Sequence, residues 1–138
     1  SSTTIKIKRG KLYAQGNAIH SATNSSSTTS VTTGFRPTKI TVQYGFNTAV
    51  GGGNDVILTG GGYWDEANGN NCIEVQIDVG SLNNTNNIAI VTDDDGDSVL
   101  AQITNVSDPG FDIFFSGNVN FDRNGNLYIF WQAEGEPI

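Results

Sequence analysis

Apolar and polar residues alternate in short runs along most of this chain. Ile5 and Ile7 alternate with Lys6 and Lys8. Ile40, Val42 and Tyr44 alternate with Thr41 and Gln43. Ile73, Val75, Ile77 and Val79 alternate with Glu74, Gln76 and Asp78. A period of two sends successive side chains to opposite faces of a β-strand, so each run predicts a strand buried on one side. No run repeats apolar residues with helical spacing beyond one turn, and no long helix is expected. Val56 to Leu58 read as a short buried strand between two GGG triplets. The triplets read as loops or tight bends, because glycine accepts positive φ without strain. The stretch "IAIVTDDDGDSVLAQITNV" reads as strand, Asp-Gly turn, strand, while "SLNNTNN" reads as a turn. Asn124-Gly125 is a second hairpin signal. The polar stretch "SATNSSSTTSVTTG" reads as a loop, or as a Thr-rich edge strand near Ser30 to Thr33.

Two runs break the alternation. In "DPGFDIFFSGN", Phe111, Ile113 and Phe115 keep the period, but Phe114 fills the polar phase. Leu127 to Trp131, "LYIFW", is apolar almost throughout. An antiparallel strand apolar on both faces is covered on both. The domain's own core covers one side, and a neighbouring subunit is the expected cover for the other. Phe111, Phe114, Tyr128 and Phe130 are therefore the candidate oligomer-interface residues. The runs number roughly eight to ten, spaced as in an antiparallel β-sandwich of jelly-roll type. Residues 1–30 read as an N-terminal strand and polar linker, an attachment arm, and residues 31–138 as the sandwich.

Composition supports the all-β reading. Gly, Asn, Ser and Thr are abundant where long helices would want Ala, Leu, Glu and Lys. At 138 residues the chain is one domain's worth, with room for a core that needs no staples. The single cysteine, Cys72, excludes an intrachain disulfide and is expected to be buried. No apolar run is long enough to span a membrane as a helix, and no stretch shows the n-region plus h-region pattern of a signal peptide. Export by another route, or origin in a longer protein, is the expectation, and the lack of an initial Met agrees with processing or excision. The net charge is −7, with all fourteen acidic residues after Gly53 and four of seven basic ones at Lys6, Lys8, Arg9 and Lys11. Such a balance does not suit a nucleic-acid binder, which needs a basic surface. The basic strip reads as a solvated strand face, or as a contact for an acidic partner.

Candidate chemistry is sparse. In "DDDGDS", Asp93, Asp95 and Asp97 could offer a hard cation such as Ca²⁺ its oxygens. The glycine falls at the fourth place from Asp93 and Thr104 at the twelfth, which is not EF-hand spacing, so a solvated hairpin tip without cofactor is expected. The lone histidine, His20, is expected at the surface or an interface, and no nucleophile-elbow motif accompanies it. Asp65, Glu66, Glu74 and Asp78 supply carboxylates, but a small Gly-rich sandwich offers little wall for a substrate cleft. The expectation is no enzyme. In "GGGYWDEANGNN", Tyr63 and Trp64 fall on an expected loop with Asp65, Glu66 and Asn68. Aromatic faces beside amides and carboxylates suit a carbohydrate or protein contact, and the opposing reading folds Trp64 back as a core plug.

Two segments, "TTGFRPTKITVQY" and "DPGFDIFFSGNVNFDRNGNLYIFWQAEG", carry a resemblance. Gly34, Phe35, Pro37, Ile40 and Val42, then Gly110, Phe111, Asn124, Gly125, Tyr128, Ile129 and Ala133, resemble the pattern of a β-sandwich domain in tailed-phage virion proteins. It is found especially in the C-terminal parts of tail fibres and in minor structural proteins. The resemblance implies a module on the virion surface, often a homotrimer, contacting other virion proteins and a host-surface glycan or protein. It brings no catalytic residues. The chain lacks a repetitive shaft, which fits a tip domain or a capsid decoration protein. A free lectin is the reading outside that class.

Overall fold

The computed structural model describes residues 4–8, 10–22, 25–50, 54–76, 80–84, 86–92, 96–118, 120–121 and 125–136. Among them are eleven strands and no helix: β1 (Lys6–Lys8), β2 (Lys11–Ser21), β3 (Ser27–Thr32), β4 (Lys39–Val50), β5 (Asn54–Asp65), β6 (Gly69–Gln76), β7 (Gly80–Asn84), β8 (Ala89–Thr92), β9 (Ser98–Ser107), β10 (Gly110–Ser116) and β11 (Gly125–Gly135). β7 occupies part of the stretch expected as a turn and pairs with β6.

The strands run in the order β1-β2-β11-β4-β5-β6-β8-β9-β10-β3. β6 is where this ribbon folds over. Its first half pairs antiparallel with β5, and its end pairs parallel with β8. The other pairings are antiparallel. The result is two facing layers, a front one of β1, β2, β11, β4, β5 and the start of β6, and a back one of β8, β9, β10 and β3. Their inner faces form the core of the sandwich.

Alternation builds that core as expected. On the front layer Ile40, Val42, Tyr44 and Phe46 of β4, and Leu127, Ile129, Trp131 and Ala133 of β11, are buried. On the back layer Phe111, Ile113 and Phe115 of β10, and Val99, Ala101 and Ile103 of β9, meet them. Burying each large side chain contributes about 1.5–3 kcal/mol. "FDIFF" and "LYIFW" face each other across this core. β11 pairs with β2 and β4 and β10 with β9 and β3, so Asn124-Gly125 does not join a β10–β11 hairpin. The Phe111 and Trp131 rings meet edge to face at 5.3 Å.

Several expectations change. The second glycine triplet, Gly60 to Gly62, lies inside β5, not in a loop. A Cβ on Gly60 would enter the Tyr44 ring, and one on Gly62 would strike the Ile88 carbonyl. Glycine marks close approach here, not a bend. On β6 the phase is the reverse of that expected, with Cys72 buried and Ile73 exposed, because β6 begins as the neighbour of β5 and inherits its inward phase. Ile7, on the three-residue edge strand β1, and Ile5 just before it are both exposed. His20 is buried in the core, its ring stacked on Phe115 at 5.0 Å and its Nδ1 3.0 Å from Ser27 Oγ. Residues 11–21, expected within an arm, form β2, paired with β11 from Leu12 to Ser21.

Side chains close the open end of the back layer. β8 leaves the β9 edge uncovered beyond Ala101, whose carbonyl accepts from Ile88 N at 2.8 Å. There Asn70 of β6 acts as a substitute strand. Its Oδ1 accepts from Ile103 N at 2.8 Å and its Nδ2 donates to Ile103 O at 3.1 Å. Tyr44 OH donates to the Ile73 carbonyl and lies 3.2 Å from the Ile90 carbonyl, tying β4 to both β6 and β8 at the fold-over.

Candidate binding face

The alternation that buries Ile129 and Trp131 turns Tyr128, Phe130 and Gln132 outward on β11. The paired strands follow the same phase, so the front layer presents rows of aligned outward residues. One row runs Ile19, Tyr128, Gly45, Thr59. The next runs Asn17, Phe130, Gln43, Gly61. A third runs Gln15, Gln132, Thr41, Tyr63, Asn71. Within these rows no side chain is charged. Among the described side chains of this face, charged groups stand along one end, where Lys39 pairs in register with Glu134 and Asp65.

Three shallow hollows of about 600, 600 and 540 Å³ join into one groove across this face. The first lies between Tyr128, Phe130 and Thr59, the second between Phe130, Asn17 and Gln132, and the third between Tyr63, Asn71 and Ile73, with Lys39 and Asp65 at its end. Phe130 is 54% exposed and Tyr63 40%. Among the described residues, nothing hydrogen bonds the side-chain amides of Gln15, Asn17, Gln43 or Gln132. They offer both donors and acceptors to a ligand.

At the charged end, Lys11 Nζ donates to Glu134 Oε1 at 2.6 Å. The hydrogen bond and charge of Glu134 raise the Lys11 pKa. Asp65 ends β5, and its Oδ1 accepts from Asn68 N at 2.7 Å and from Asn68 Nδ2 at 3.0 Å. These bonds hold the Asp65 pKa below the ordinary carboxylate value. Glu66 pairs with Arg36 at 2.7 Å, and Arg36 also donates to the Val106 carbonyl at 2.7 Å. Both carboxylates are thus engaged in holding the β5–β6 turn and joining it to β9.

The residues expected to act together are therefore dispersed. Tyr63 and Trp64 lie on strand β5, not on a loop, and alternate phases separate them. Tyr63 faces the groove, and Trp64 packs half-buried against the core. Asp65, Glu66 and Asn68 build the turn at its end. Of the interface candidates, Tyr128 and Phe130 share the front face. Phe111 is 2% exposed and belongs to the core. Phe114 is half-buried on the outer side of the back layer, in register with Thr28 and Gln102. Asp93 and Asp95 lie outside the described residues. Asp97 accepts from Asn118 Nδ2 at 3.1 Å. Among the described residues no three His, Cys, Asp or Glu side chains gather as a metal site.

Gln15, Asn17, Thr41, Gln43 and Gln132 were not expected at a site. Their sequence signal is that the polar phase of these strands carries amides and hydroxyls where a solvated face would more often carry charge.

Compared with known proteins, the chain matches no family model, no curated protein and no solved structure. The uncovered face is the ground for a functional reading.

Proposed function

We propose that this chain is a non-covalent binding module on the surface of a phage virion, the receptor-binding domain of a tail fibre or similar appendage. The observation that carries the reading is the front face. It is an aromatic and amide-lined groove, uncharged over its first two hollows and bordered by Lys39 and Asp65 at the third, on a chain of net charge −7. A broad exposed patch with aromatic residues at its centre marks an interaction surface. The sequence resemblance supplies the virion setting. The strand order supports a jelly-roll reading, since β2 and β4 flank β11 in one layer while β3 lies beside β10 in the other. A homotrimer is part of the proposal, with Phe114 on the back layer as its contact. The action is binding without catalysis. His20 is buried, and Asp65 and Glu66 are engaged by Asn68 and Arg36.

The test uses fluorescently labelled chain, with its solution mass fixed by light scattering. It is added to a panel of bacterial cells and to purified capsids of tailed phages. Saturable binding to cells that Phe130→Asp abolishes, with unfolding temperature unchanged, supports adhesion. Binding to capsids alone favours the second reading, a decoration protein that stabilises the shell. Binding to neither target, with a sugar that quenches the tyrosine and tryptophan emission, favours a free lectin.

A further inference from the structure

Building on that reading of the front face, we infer that its ligand is a neutral glycan chain laid across β11, β4 and β5. Charge comes first. The chain is strongly acidic, yet the three in-register rows that floor the groove carry no charged side chain, and Lys39 and Asp65 stand at the end of the third hollow, so the middle of the face suits a ligand with no charge to pair or repel. Hydrogen bonding comes second. The four unengaged amides surround Phe130 on its own strand and both neighbouring strands, and each can meet a hydroxyl as donor or acceptor. Shape comes third. Phe130 and Tyr63 are two strands and two residues apart, a diagonal of about 12 Å from strand spacing and rise. Two platforms that far apart take an oligosaccharide, not a single sugar.

Gly61 points the same way independently. Its neighbours Gly60 and Gly62 are required by the core. A Cβ on Gly61 would meet only the Val42 carbonyl, at an ordinary 3.6 Å. Glycine inside a strand weakens it, and packing gives no reason for one here. Its outward side is the floor between Phe130 and Tyr63, and any side chain there would fill the groove.

The test is affinity electrophoresis of the full chain through native gels containing soluble dextran, mannan, galactan or β-glucan, with alginate as the acidic control. Retardation is expected in at least one neutral gel and not in alginate. Phe130→Ala and Gly61→Val should each weaken it at least tenfold, while Gly61→Val unfolds at the same or a higher temperature than the parent. Unchanged mobility in every neutral gel overturns the inference, as does equal retardation in alginate or full retardation of Gly61→Val. If the cells of the preceding test still bind through Phe130, only the glycan assignment fails and the adhesion reading stands. If Phe130→Ala instead turns an oligomer into a monomer, the face is a contact between copies and both fail.

Discussion

Replacing Asn70 by alanine should measurably loosen the junction between the two layers. The change removes the groups that, among the described residues, pair the Ile103 main chain on its β6 side, an acceptor at 2.8 Å and a donor at 3.1 Å. A typical intramolecular hydrogen bond contributes about 0.5–1.5 kcal/mol net, and a half-buried orphan costs somewhat more than an exposed one. Two bonds lost together give about 2 kcal/mol. For a chain of 138 residues the unfolding entropy is roughly 0.29 kcal/mol/K, so the midpoint should fall by about 7 °C. Asn70→Asp should be at least as damaging at neutral pH, because the carboxylate keeps the acceptor but sets a second acceptor against the Ile103 carbonyl. It should recover part of the loss in acid, when protonation restores a donor. Calorimetry gives the midpoint, and hydrogen exchange of the Ile103 amide localises the effect. A midpoint within 2 °C of the parent, together with unchanged Ile103 protection, would refute the view that a side chain completes the β9 edge.

Four further outcomes are expected. Tyr44→Phe should cost about 1–2 kcal/mol in urea unfolding, since its hydroxyl reaches the Ile73 and Ile90 carbonyls and their pairing is lost with it. Gly62→Ala should destabilise by more than about 3 kcal/mol or prevent folding, because its Cβ meets backbone atoms. Gly61→Ala should stay within about 0.5 kcal/mol of the parent, so equal effects at the two sites would contradict the packing described. Phe111→Ala should cost about 3–5 kcal/mol as a core cavity, and Phe114→Ala clearly less in a monomer. For Asp65 the folded pKa is depressed, so its stabilisation is complete above the ordinary value of 3.8 and is lost as pH falls through the folded value. The difference in melting temperature between parent and Asp65→Ala should accordingly be largest near neutral pH and shrink in strong acid.

Much of the sandwich was legible because alternation is a local property. Ile40, Val42 and Tyr44, and Phe111, Ile113 and Phe115, announce their buried phase without reference to any partner, and the structure buries all six. The β8–β9 hairpin and the edge strand near Ser30 were legible for the same reason. Where the signal was composition and not period, it misled. Gly60 to Gly62 read as a loop because glycine frees the backbone, but here it makes room for Tyr44 and Ile88. "SLNNTNN" read as a turn because Asn favours turns, yet β7 runs through its start. His20, in a polar segment, read as a surface or interface residue, but its position on β2 points inward onto Phe115.

The sequence by itself determined the all-β class, many of the strands and most of the core, because a period of two and the cost of exposing apolar surface act within a few residues. It also determined the acidic net charge. Only the tertiary structure decided which strands became neighbours. That choice set "FDIFF" and "LYIFW" against each other across the core instead of side by side. It separated Tyr63 from Trp64 and aligned Gln15, Asn17, Gln43 and Gln132 around Phe130. Residues more than a hundred positions apart share that face, and no local pattern encodes the register that brings them together.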